Sequence, residues 1–139
     1  MKFRLCWHGV PSEYGTGYGV QTRLFTRALQ QAGVDVIISS VIPGVSKKNE
    51  GGIMTFSCGP RRCYGNDFID MQHDRLAPDL WLSCTDTFVY DCNKISKLPW
   101  IAWQIVDTWP LGPHLFKPCS ATKHNLAMSK DGQDCLNRA

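Results

Sequence analysis

The 139-residue sequence predicts an α/β fold: one Rossmann-like domain with a mostly parallel sheet of about five or six strands and helices on both faces. Short apolar runs alternate with helical stretches, and turn residues separate them. The run "VDVIISS" (34–40) is apolar on consecutive positions, which suits a parallel strand covered on both sides. No repeat, low-complexity tract or long linker divides the chain.

The elements follow in order. "FRLCWHG" (3–9) reads as a first strand, and "PSEYGTGYG" (11–19) as a glycine-bearing loop. Val20, Leu24, Ala28 and Ala32, with Phe25 and Leu29 beside them, mark a helical stripe that Gly33 ends. After the strand at 34–40, "PGVSKKNEGG" is a polar loop, "IMTFS" (53–57) a short strand and "GPRRCYGND" irregular. Phe68, Met71 and Leu76 lie in weak helical register within 66–76, and "APDLWLSCTD" (77–86) turns into a buried strand. Residues 88–97 fit a short helix or a loop. "LPWIAWQIVD" (98–107) is the most hydrophobic strand, and "ATKHNLAMS" (121–129) a last one whose Ser129 can cap a closing helix.

Composition narrows the functions. The chain is 43% hydrophobic and 19% charged, without an apolar run near the ~18–20 residues of a membrane span, and its N-terminus lacks a signal-peptide core. A cytoplasmic protein is expected. Its net charge of +3 is too small, and too scattered, for a dedicated nucleic-acid binder, so nucleic acid enters only as an acceptor substrate. Seven cysteines without a CxxC pair predict reduced structural thiols; Cys58 and Cys63 could bridge, but no further ligands make a metal site, and none is expected.

Gly15, Gly17 and Gly19 form G-x-G-x-G between a strand and a helix. The dinucleotide fingerprint is G-x-G-x-x-G with an acidic residue ending the second strand, where this chain has Ser39 and Ser40. A P-loop lysine is also missing. What remains is a side-chain-poor loop where open α/β sheets bind ligands, leading into a helix N-terminus that favours anions, or simply a tight turn.

The stretch "GTGYGVQTRLFTRALQQAGVDV" resembles the first loop and helix of GT-B glycosyltransferases, particularly the glycogen-synthase-like retaining branch of bacteria and phages. "APDLWLSCTD", "PWIAWQIVD" and "ATKHNLAMSKDGQDCLNRA" resemble later segments of the same family in the same order. The resemblance implies that residues 1–139 are the N-terminal, acceptor-side domain, and that the C-terminal donor-binding domain is absent. It implies sugar transfer from a nucleotide diphosphate sugar to an acceptor hydroxyl, with no cofactor or metal, and dependence on a second half in cis or from a partner chain.

On that resemblance, Gly15, Gly17 and Gly19 admit donor phosphate or acceptor, and Tyr18 stacks on a sugar. Asp107 is the catalytic-site residue at the cleft, with Asp86, Thr108 and Trp109 as further binding residues. Many relatives have histidine where this chain has Thr108, and His114 does not take over that role. Thr87 is placed like Asp86. Turn or cap roles remain alternatives for both aspartates. His8 reads as a hydrogen-bonded structural residue or a cleft residue, and Trp81 and Trp100 as core. Arg61 and Arg62 belong to a solvated loop or meet a phosphate. The alternative function is a non-catalytic Rossmann-like module that binds a nucleotide or sugar.

Overall fold

A computed structural model describes residues 2–44, 47–49, 51–57, 64–106 and 111–138. The elements are β1 (Arg4–Gly9), α1 (Gly17–Gln31), β2 (Asp35–Ser40), β3 (Lys47–Lys48), β4 (Met54–Ser57), α2 (Ile69–Leu76), β5 (Leu80–Cys84), α3 (Cys92–Ile95), β6 (Trp100–Gln104), α4 (Pro113–Ala121), β7 (His124–Ala127) and α5 (Lys130–Arg138). A 3-10 turn covers Thr87–Val89.

The strands form one seven-stranded sheet in the order β3-β4-β2-β1-β5-β6-β7. All neighbours are parallel except β3, a two-residue antiparallel edge from the stretch expected to be loop. Apolar periodicity is blind to so short a polar strand. The sheet order reverses direction at β1, between β2 and β5, so the turns after β1 and β5 share its carboxyl edge. At the opposite edge Arg4 ties three segments together: its amide donates to Asp79, its Nε to Asp35 and its Nη1 to the Leu76 carbonyl.

Side chains alternate between two faces. On one, Cys6, Ile37, Trp81 and Trp100 pack with Ile69 and Leu76 of α2, Ile95 of α3 and Tyr90, and Ala121 of α4 closes against them. Trp81 and Trp100, opposite each other in the β5–β6 register, are fully buried and stacked at 5.1 Å. On the other face Leu5, Trp7, Val36, Ile38, Ile53 and Cys84 pack against Tyr18 and Leu29 of α1.

The buried stripe of α1 differs from the apolar one expected. Gly19, Thr22 and Thr26 face the sheet, while Leu24 is 61% and Phe25 43% exposed. Polar pairing explains the choice: the buried Trp7 indole donates to Thr22 Oγ1 at 2.9 Å, and Thr26 donates to the Thr22 carbonyl at 2.6 Å. A leucine at position 22 would leave that indole without its acceptor. Phe25 still uses its ring, stacked on Trp7 and edge-on to Trp103.

Gly33, at φ +90°, lies just past the end of α1 as expected. Helix α4 was hidden by its two prolines: Pro113 starts it, a position that tolerates proline, while Pro118 lies inside and is buried. Ser129 accepts from the Gly132 amide at 3.0 Å at the start of α5.

Candidate functional site

The β1–α1 turn and the end of β5 meet at the carboxyl edge. Tyr18, in the first turn of α1, donates its phenol to Asp86 Oδ1 at 3.0 Å. Tyr18 is half-buried with its ring packed on the α1-side core, whereas Asp86 is exposed. The tyrosine ring is therefore anchored between the α1-side core and Asp86. Asp86 precedes the 3-10 turn but makes no capping bond, so its carboxylate serves the tyrosine and the solvent.

The three glycines divide. A Cβ on Gly19 would lie 2.1 Å from the Tyr14 carbonyl oxygen, so Gly19 is demanded by the fold. Nothing lies within 4 Å of a Cβ on Gly15 or Gly17, and both are exposed. None of the three has a positive φ, so at Gly15 and Gly17 what the missing side chains leave is empty space beside the helix start. Thr16 caps that start by accepting from the Gly19 amide at 3.1 Å, and the first turn carries no acidic residue. The positive end of the helix dipole therefore faces the same edge without a carboxylate on its own helix.

Thr87 does not join this edge. It is buried, and its hydroxyl is bonded to Gln104, whose Nε2 donates to Asn125 at 2.8 Å. Asn125 in turn donates to the Cys119 carbonyl at 2.9 Å. This polar chain locks the ends of β5, β6 and β7 to α4. It could not be read from sequence, because Gln104 sits in a strand otherwise rich in tryptophan and isoleucine.

His8 is structural. Fully buried, its Nε2–H donates to the Tyr64 carbonyl and its Nδ1 meets Ser39 Oγ, both at 2.9 Å. Trp81, Trp100 and Tyr90 surround the ring, and burial pushes its pKa down to about 4, only partly opposed by the Tyr64 carbonyl. The neutral ring leaves Ser39 with one hydroxyl hydrogen and two acceptors, Nδ1 and Gln72 Oε1.

Burial likewise raises the thiols of Cys6 and Cys84, the latter to about 12, so neither is a nucleophile at neutral pH. The five described cysteines are all free, and no group of three metal-ligating side chains occurs among the described residues. No helix of the described residues is long and apolar enough to cross a membrane.

Asp107, Thr108 and Trp109 lie outside the described residues, as do Arg61, Arg62, Cys58 and Cys63. Of the expected site residues, the described part brings together Gly15, Gly17, Tyr18, Gly19 and Asp86. Cavities of about 290 and 370 Å³ lie elsewhere among the described residues, and neither includes Tyr18 or Asp86, the pair carried by this edge, hereafter the shelf. Comparison with known proteins finds no matching family model, no matching curated protein and no matching solved structure.

Proposed function

We propose that the chain is the acceptor-side half of a glycosyltransferase that uses a nucleotide diphosphate sugar and completes its cleft with a second α/β half. The observation that carries this reading is the Tyr18–Asp86 pair beside the empty space over Gly15 and Gly17. An exposed carboxylate with one oxygen engaged by Tyr18 suits hydrogen bonds from sugar hydroxyls. The neighbouring helix start suits an anionic phosphate. Asp107, with Thr108 and Trp109, follows the β6 segment and belongs to the same proposal.

Transfer develops negative charge on the leaving diphosphate, which preorganised donors must hold; removing one such donor typically costs about 3–4 kcal/mol of barrier lowering. Among the described residues the start of α1 offers amide dipoles for that task, and the remaining donors come from the second half. The purified chain should therefore bind nucleotide sugars weakly and transfer nothing until a second half is added.

A second reading, a non-catalytic nucleotide- or sugar-binding module, draws support from the titratable groups. Among the described residues, which do not include Asp107, those with clearly shifted pKa values include His8, Tyr90 and the thiols of Cys6, Cys84 and Cys119, and Asp86 is not one of them.

Amide NMR titration with UDP-glucose, GDP-mannose and free sugars, beside a radiolabelled-sugar transfer assay, tests both readings. Either reading expects ligand-dependent shifts at 15–19 and 86. Gly17→Val should remove those shifts while the rest of the spectrum stays, because its side chain enters empty space. Shifts that persist in the variant would reduce the loop to a turn. Transfer by the wild-type chain alone contradicts the half-enzyme proposal.

A further inference from the structure

A second site stands apart from the shelf. Between α1 and the β3–β4 hairpin lies a groove of about 290 Å³, at the small end of ligand pockets. Among the described residues its lining carries Arg23, Arg27 and Lys47 and one carboxylate, Glu13. Glu13 is already engaged, by Lys47 at 3.4 Å and by the Ser12 hydroxyl at 3.4 Å.

Arg23 and Arg27 are four residues apart, so both guanidiniums leave the same side of α1. Among the described residues neither has a carboxylate within ion-pair distance. Like charges at this spacing repel and weaken a helix, and a bound anion would reverse that cost.

The remainder of the groove is polar and shaped. Asn49 donates to Ser12 Oγ at 3.1 Å, while its own Oδ1 accepts from the Gly51 and Ile53 amides at 3.0 Å. The hairpin turn is thereby held against the β1–α1 loop, and the hydroxyl and amide groups stay in place at the groove floor.

We propose that this groove binds a small, soluble, hydroxylated phosphate monoester. Arg23 and Arg27 take the phosphate, whose oxygens match the planar fork of each guanidinium. Ser12 and Asn49 face its hydroxyl-bearing part. The groove and the shelf share the loop at 11–16 but no binding residue, so this site stands or falls independently of the glycosyltransferase proposal.

Isothermal titration calorimetry at low salt is the test, on the full chain with glucose 6-phosphate, glucose and inorganic phosphate as separate titrants. Glucose 6-phosphate should bind more tightly than inorganic phosphate, and glucose should not bind. The Arg23→Gln/Arg27→Gln double variant, whose changed side chains are exposed and leave the fold intact, should weaken glucose 6-phosphate by about tenfold or more. Lys117→Gln, an exposed change on α4 across the sheet, should leave it unchanged. Equal binding by wild type and double variant, or no binding of either phosphate, would overturn the proposal. So would binding to phosphatidic acid vesicles without binding to either soluble phosphate.

Discussion

The two faces of the sheet are made of the same kinds of residue and end in different conditions. One face buries Trp81, Trp100, His8 and Tyr90 under α2, α3 and α4. The other has α1 over β1 and β2, while Leu82, Ile101 and Trp103 stay half-buried and Leu126 is 44% exposed. Hydrophobicity along a strand says that both its sides avoid water, but crossover direction decides which side receives a helix. The chain turns one way from β1 to β2 and the other way through β5, β6 and β7, so α1 stands opposite the later helices.

The largest expected effect breaks the covered face. Trp81→Ala removes one member of the buried stacked pair and should cost about 3–5 kcal/mol in urea unfolding. A loss below about 1 kcal/mol would show that this face is as loosely packed as the other.

Acid should act on the same face. Between the ordinary histidine value of 6.5 and about 4, the unfolded chain takes up a proton that buried His8 refuses. Stability is unaffected by this group above that window and falls as pH drops through it, with the loss levelling at about 3 kcal/mol. Denaturation curves at stepped pH, compared between wild type and His8→Gln, isolate the contribution. An identical pH dependence in both would remove His8 as its source.

The smallest effect belongs to the less covered face, where Leu126→Ser should change stability by no more than about 0.5 kcal/mol. A loss as large as that of Trp81→Ala would mean that the leucine is covered in solution.

Sequence patterning located the parallel strands because each combines apolar residues with flanking turn residues, and it placed Trp81 and Trp100 in the core. It missed β3, whose pairing depends on β4 and not on its own lysines. It missed α4 because Pro113 and Pro118 look like breakers unless one is known to start the helix. The stripe on α1 went astray because hydrophobicity favours Leu24, while the Trp7 indole draws Thr22 inward. At the shelf, the order of motifs pointed to the loop and to Asp86. The hydrogen bond from Tyr18 required two segments far apart in sequence to meet, which no local pattern encodes.

The position of β1 also sets a timetable. It lies between β2 and β5, and Arg4 at its start donates its amide to Asp79, 75 residues later. At a synthesis rate of about 5–20 residues per second, that separation corresponds to roughly 4–15 s on the ribosome. β1 thus has a partner on one side only until β5 emerges, and until then the Leu5–Gly9 backbone has an unpaired edge open to chaperones or to another nascent chain.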